Sequence, residues 1–434
     1  MSSSKSVVYK LKDICTKIGS GSTPKGGSSV YEDEGVTFIR SQNVYNNQFV
    51  NEGLVCLNAE SAYKLRSVEV IENDILLNIT GDSVARCTIV PSNVLPARVN
   101  QHVCIIRADT SMVDYAYLKY FLVNPKMQLY MLSIAYGGGT RAALTKRMIE
   151  NFEIKLPSLE EQKKISALLL SIDNKIESNN EMNKTLEEMS QTLFKRWFVD
   201  FEFPNENGES YKSSGGEMVE SELGMIPKGW RILTLDDLCV KITDGSHFSP
   251  KHCETGLYPM LSVKDMRDYG FDYQSCKKID EDDYKKMINS DCIPKINDIL
   301  VAKDGSYLKH IFITNEEREE AILSSIAIFR PNTNVIYSEI LLNMLKQPLL
   351  QKKVKENYVS GSALPRIVLK DFKKLQVIVP TMCIQNNIIQ VFKAYRRQIL
   401  INTNQNESLI SLRDSLLPKL MSGEIRVEDI EANL

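Results

Sequence analysis

Residue types able to do covalent or metal chemistry are few in this 434-residue chain, and their spacing suits none of the usual reactions. The four histidines stand at positions 102, 247, 252 and 310, and the nine cysteines are scattered without a Cys-x-x-Cys pair. An odd, dispersed set of thiols fits reduced core residues better than a disulfide framework. Cys239, His247, His252 and Cys253 form the densest grouping. Their atoms could ligate zinc, but the spacing matches no zinc signature, and no metal is expected. The chain has no Gly-x-x-x-x-Gly-Lys-Ser/Thr cradle, no Gly-x-Gly-x-x-Gly at a helix start and no Gly-x-Ser-x-Gly elbow. Asn/Asp-Pro-Pro-Tyr/Phe, the mark of amino-methyltransferases, is missing too. No catalytic residue and no bound cofactor are therefore expected.

Two glycine loops remain. Gly19 to Gly21 leads to Thr23 and Lys25, and Gly137 to Gly139 leads to Thr140 and Arg141. Backbone N–H groups in such loops can bind the phosphates of a nucleic acid while the cation beside them adds charge, and we expect that use here.

The elements that carry these loops are written twice. LKDICTKIGSGSTPK from Leu11 recurs as LDDLCVKITDGSHFSPK from Leu235, an offset of 224. NDILLNITGDSV from Asn73 recurs as NDILVAKDGSYL from Asn297, and YGGGTRAALTKRMIENFEIKLP from Tyr136 pairs with VSGSALPRIVLKDFKKLQVIVP from Val359. Blocks in one order and one register mark an internal repeat. His102 and Ser325 fall at equivalent places in the repeats, and no histidine has a histidine as its repeat partner, so no general base is duplicated. Each repeat consists of short β-branched runs between turns, in the first at Val36 to Ile39, Val68 to Ile71, Ile75 to Asn78, Cys87 to Val90 and Val103 to Arg107. With a helix at Tyr115 to Val123, this predicts a sheet-rich domain and not a doubly wound sheet.

After Pro157 and again after Pro380 the pattern turns helical. Ser158 with Glu161 forms a capping box. A heptad seam follows through Ile165, Leu169, Ile172, Ile176, Asn179, Asn183, Leu186, Ser190, Leu193 and Trp197. Adding 223 gives Ile388, Phe392, Tyr395, Ile399, Asn402, Asn406, Leu409, Arg413, Leu416 and Leu420. Asn179, Asn183, Asn402 and Asn406 notch both seams at the same places, and a seam asparagine sets register because only a polar partner satisfies it. An antiparallel pair, with a domain at either end of one rod, is expected. A parallel pairing would also align the asparagines. From Ile165 to Trp197 the rod measures ~48 Å at ~1.5 Å per residue. Phe201 to Lys228, acidic and rich in glycine and serine, reads as a flexible linker.

Lys plus Arg number 53 and Asp plus Glu 55, which removes any argument from bulk charge for a polyanionic partner. Acid is concentrated in the linker and the tail, where Phe201 to Lys228 holds six acidic and two basic residues. Met1 to Pro157 holds 17 basic and 14 acidic residues, and Gly229 to Pro380 holds 22 and 21. No apolar run reaches the ~20 residues that span a bilayer and MSSSKSVVYK lacks a signal-peptide core, so a cytoplasmic protein is expected. Two similar domains at a fixed separation suit a linear polymer read at two places. A rod of ~48 Å matches ~14 base pairs of DNA at ~3.4 Å each.

The residues carry a family resemblance along essentially the whole chain. FEIKLP before SLEEQKKISALLLSIDNKIE, LQVIVP before TMCIQNNIIQVFKAYRRQI, the central QTLFKRWFVDFE and the closing SLRDSLLPKLMSGEIRV resemble the specificity subunit of Type I restriction–modification enzymes. Glu161 to Ile165 has the typical Glu-Gln-Lys-Lys-Ile, of which the second copy keeps Gln385 and Ile388. The resemblance implies an α+β fold of two target recognition domains separated by a two-helix antiparallel coiled coil, a tandem repeat with pseudo-twofold symmetry. It implies double-stranded DNA, a pair of methyltransferase subunits docked on the helices, and restriction/translocase subunits joined through that core. S-adenosylmethionine and ATP would belong to those partners. The boundaries expected are 1–157 and 229–380 for the two domains, 158–200 and 381–421 for the helices, 201–228 for the linker and 422–434 for a tail. Side chains expected at DNA are Ser22, Thr23, Lys25, Arg40, Gln42, Asn43, Arg86, Gln101, Thr140 and Arg141 in the first domain. In the second they are Ser246, His247, Lys251, Lys264, Lys303, Tyr307, Lys309, Ser362 and Arg366, chosen because Arg suits guanine and Asn or Gln adenine. Two other readings stay open at this point, a single-chain DNA modification enzyme and a tandem-domain scaffold that binds no nucleic acid.

Overall fold

The structure is a computed structural model that describes residues 7–137, 142–288, 292–361 and 365–431. It comprises two units, one of residues 1–177 with 406–434 and the other of residues 178–405.

In the first unit the strands are β1 (Val7–Lys10), β2 (Cys15–Ser20), β3 (Tyr31–Glu32), β4 (Val36–Ile39), β5 (Val55–Leu57), β6 (Glu69–Val70), β7 (Ile75–Asn78), β8 (Cys87–Ile89), β9 (Ala97–Val99), β10 (Val103–Ala108) and β11 (Glu153–Leu156). Helices α1 (Tyr115–Val123) and α2 (Pro125–Tyr136) precede β11, and α3 (Leu159–Phe194) follows it. An antiparallel sheet runs β8-β7-β10-β2, and a second runs β3-β5-β4-β9-β6 with β4 and β9 parallel. Strands β7 and β10 are buried on both faces. Ile75, Leu77 and Ile106 face the helices, while Leu76, Val103 and Ile105 face the second sheet, which is why both strands read as continuous apolar runs.

The second unit repeats this plan after a hairpin of β12 (Met218–Ser221) and β13 (Gly224–Pro227). Its strands are β14 (Arg231–Thr234), β15 (Cys239–Asp244), β16 (Tyr258–Leu261), β17 (Lys277–Ile279), β18 (Ile299–Ala302), β19 (Ile311–Ile313), β20 (Ala321–Ile322), β21 (Ile326–Pro331) and β22 (Gln376–Val379). Its helices are α4 (Ser338–Leu345), α5 (Pro348–Asn357) and α6 (Met382–Ser422). The sheet β15-β21-β18-β19 matches β2-β10-β7-β8 strand for strand, and β16 and β20 repeat the single parallel pair.

The repeated Asn-Asp-Ile-Leu has a structural cause. Asn73 and Asn297 take φ of 67° and 69°, a left-handed turn that asparagine tolerates. The next residue, Asp74 or Asp298, is buried and holds a bidentate arginine, Arg107 at 2.7 and 2.8 Å or Arg330 at 2.9 and 2.7 Å. Gln162 and Gln385 are equally fixed. The Gln162 amide bridges the Asp114 N–H and the Pro157 carbonyl, and Gln385 does the same for Tyr337 and Pro380. Each thus ties the start of a long helix to its own sheet domain.

Ser158 caps α3 by accepting from the Glu161 N–H at 3.3 Å. In the first unit Ile165 and Leu169 of α3 share a core with Leu417 and Leu420 of α6. In the second, Asn402 Nδ2 donates to Asn183 Oδ1 at 2.8 Å and Asn179 Nδ2 to Gln405 Oε1 at 2.9 Å. Partner numbers fall along α6 as they rise along α3, so the helices are antiparallel there. Asn179 and Asn406 are buried as well. Helix α3 ends at Phe194, and Trp197 lies in a π-helical turn, Lys195–Val199, where it packs half-buried against the second unit's core. Phe201 to Lys228 is not the flexible linker expected from its composition. Phe203 stacks between Tyr211 at 4.5 Å and Trp230 at 5.4 Å, and Phe201 meets Trp230 edge-on, so aromatic burial orders the segment.

Candidate nucleic-acid interface

In each unit the loops that leave one end of the two sheets are bonded into a single rim. After β2, Gly21 crosses the turn between β9 and β10, its N–H donating to Val103 O at 3.0 Å and the Ser22 N–H to Val99 O at 3.1 Å. A Cβ on Gly21 would stand 2.0 Å from Val99 O, so only glycine permits the crossing. Gly245 repeats it, with N–H groups of Gly245 and Ser246 bound to Ile326 O and Ile322 O at 3.0 and 2.8 Å. This corrects the expectation for the first glycine loop, whose amides at Gly21 and Ser22 hold the fold together and are not offered to phosphates. Thr140 and Arg141 of the second glycine loop, with Ser362, lie outside the described residues.

Beyond the crossing, Thr23 Oγ1 bonds Gln101 Oε1, Gln101 Nε2 lies 3.2 Å from His102 Nε2, and His102 Nδ1 lies 2.6 Å from Thr80 Oγ1. The Gly81 N–H donates to Ala142 O at 3.0 Å, joining the loop after β7 to the segment before β11. Asn78 Nδ2 donates to Ser41 O at 2.8 Å and so anchors the loop after β4. Within that loop Arg40 and Gln42 both reach Gly53 O, and Arg86 lies over the Tyr45 ring at 4.4 Å. Asn43 is fully buried, its amide spent on Arg40, Val50 and Glu52 backbone, so it shapes the loop and does not face out. His102, Asn78 and Thr80 were not nominated from the sequence. The pairing of His102 with Ser325 in the repeats was the signal available for it.

In the second rim Ser325 stands where His102 stands in the first. Its hydroxyl accepts from the Val263 N–H at 3.0 Å and its carbonyl from the Lys303 N–H at 2.9 Å. Lys303 is 7% exposed and its ammonium sits 2.7 Å from Asp244 Oδ2. Ser246 is 3% exposed and donates to Phe248 O, so both residues brace the rim from within. His247, exposed, lies 3.4 Å from the same Asp244 oxygen. Tyr307 packs half-buried against the core beneath. Lys251, Lys264, Lys309 and Arg366 are exposed, as are Ser22, Thr23, Lys25, Gln42 and Gln101 in the first rim. None of Lys25, Arg40, Arg86, Lys251, Lys264, Lys309 and Arg366 forms an ion pair with a described residue. Each rim therefore carries unpaired cations on a hydrogen-bonded base, joined in the first by the exposed amide side chains of Gln42 and Gln101, which suits phosphate contact and base-edge reading.

The candidate zinc residues are not assembled. Burial pushes the Cys239 thiol up to about 12, His252 Nδ1 accepts from the Lys278 N–H, and Cys253 Sγ lies against Thr255 Oγ1. Among the described residues no three His, Cys, Asp or Glu side chains converge as a metal site, and no helix is long and apolar enough to cross a membrane.

Known proteins are similar to this chain along nearly its whole length. A chain 27% identical over 433 residues, 98% of this chain and 94% of the relative, is the MjaIX specificity subunit of a Type I restriction enzyme from Methanocaldococcus jannaschii. The HindI specificity subunit from Haemophilus influenzae is 24% identical over 460 residues, 90% of this chain and 94% of its own. The crystal structure of a Type I restriction–modification S subunit from M. genitalium has the same fold, with a TM-score of 0.54 at 15% identity and 97% of both chains covered. The model of the Type I restriction modification DNA specificity domain matches twice, at residues 3–188 and 227–410, and those two stretches contain the two rims. These two matches, one on each copy of a fold built twice from one plan, place this chain in the Type I restriction–modification DNA specificity family, as a specificity subunit with two such domains in tandem.

Proposed function

We propose that each rim reads one half of an asymmetric bipartite site in double-stranded DNA, and that α3 and α6 set the length of the unread gap. The observation that carries this is the pair of rims, alike in backbone and different in side chains. Gln101 and His102 of one are replaced by Ser324 and Ser325 in the other, so two different half-sites are expected. The relatives are named specificity subunits, and with that role come the partners: a pair of methyltransferase subunits on the helices, and restriction subunits through that core. Recognition belongs to this chain, and methyl transfer, cleavage and translocation to its partners. The near-neutral recognition domains agree with shared DNA grip.

Selection from a random duplex library, with methyltransferase subunits present, should recover a bipartite consensus. Exchanging residues 229–380 for a relative's should change one half only. Deleting Glu177–Asn183 together with Leu400–Asn406 removes one heptad from each helix, and should alter the gap while leaving both halves as they were. Recovery of no consensus would favour a scaffold without DNA. Altered halves with an unaltered gap would sink the spacer reading.

A further inference from the structure

The long helices match in their apolar contacts to the sheet domains, Ile165 with Ile388 and Leu169 with Phe392, yet at one half-buried position they carry opposite charge. Asp173 of α3 receives Lys119 of α1 at 2.9 Å, the Tyr120 hydroxyl at 2.5 Å and Arg413 of α6 at 2.9 Å. The position 223 residues on is Arg396 of α6. It donates to Glu339 of α4 at 2.8 Å and to Asn315 at 2.7 Å. The surrounding positions change in concert. Lys119 is replaced by Leu342, Ala116 by Glu339, and Arg413 by Ser190, which donates to Asn343 at 2.9 Å. Lys119 and Glu339 are 3% and 5% exposed, so neither charge can turn to water when its partner is wrong.

We propose that Asp173 and Arg396 are positioning residues that assign each recognition domain to its own seat on the helices. The first domain placed on the second seat would set Lys119 against Arg396. The second placed on the first would set Glu339 against Asp173. Domains of one fold are thereby kept from docking at each other's place, and from filling both places in mispaired chains. This inference stands whether or not the rims bind DNA, because it is read from domain docking alone.

The test uses full-length chains in which residues 7–156 also replace residues 231–379, so that the first domain occupies both seats. With Arg396 unchanged, the second copy should be cleaved by a nonspecific protease about tenfold faster or more than the first. Adding Arg396→Asp with Ser190→Arg should restore protection of that copy. Equal cleavage of the second copy with and without those two changes would overturn the proposal. The natural chain supplies an independent arm. Arg396→Asp should expose only the second domain, Arg396→Lys should leave it protected, and Arg396→Asp with Glu339→Lys should recover protection. Failure of that rescue would also overturn it, since a role in packing alone predicts no recovery.

Discussion

Asn183 and Asn402 offer a sharp test of the helix pairing. Both are buried, at 1% and 3% exposure, and Asn402 Nδ2 donates to Asn183 Oδ1 at 2.8 Å. Asn183→Leu removes the acceptor while Gln398 still donates to Asn402 Oδ1 at 2.9 Å, so the penalty falls on one stranded N–H pair. A buried donor left unsatisfied costs about 1–3 kcal/mol. For a unit of this size each kcal/mol is worth about 2–4 °C, so Asn183→Leu should melt roughly 2–12 °C below the parent. Asn402→Leu strands Asn183 in turn and should fall similarly. The double variant removes both polar groups at once and restores an apolar seam, and should melt close to the parent or above it. Calorimetry on the four chains of this cycle measures the coupling directly, and the second transition is the one to follow if the units melt separately. A double variant destabilised by the sum of the two singles would refute the pairing.

Two further outcomes follow from the charges. Lys251, Lys264 and Lys309 are exposed cations of the second rim, and each change to alanine should lower the salt slope of DNA binding by about 0.9, uniformly across sequences. An unchanged slope would remove that residue from the interface. Burial works against ionised Asp173, but the Lys119 ammonium, the Tyr120 hydroxyl and Arg413 outweigh it and hold its carboxyl below the usual range. A lowered folded value means the contribution is complete above the ordinary carboxylate value of about 3.9, and is lost as pH falls below it towards the folded value. Urea midpoints between pH 7 and pH 3 should therefore drop more steeply for the parent than for Asp173→Asn. Parallel curves would show that Asp173 does not contribute.

The sequence by itself determined the duplication, several strands and a helix of the first copy, and the notched seams, because these are local patterns. Asn-Asp-Ile-Leu gives a turn and a strand in both copies, and Tyr115 to Val123 is helical as read. What lay between distant residues was decided only by the tertiary structure. Gly21 is glycine because the Val99 carbonyl, 78 residues on, passes where its Cβ would be. Asn43 and Lys303 have the chemistry of DNA contacts, but long-range packing places them beneath the rims as braces. The polar segment after Phe201 resembles a tether until Trp230 supplies a ring to stack on. Asp173 and Arg396 look like ordinary surface charges on amphipathic helices. Their partners, Lys119 and Glu339, stand more than 50 residues away in sequence, and a spacing rule that sees one turn of helix has no means of finding them.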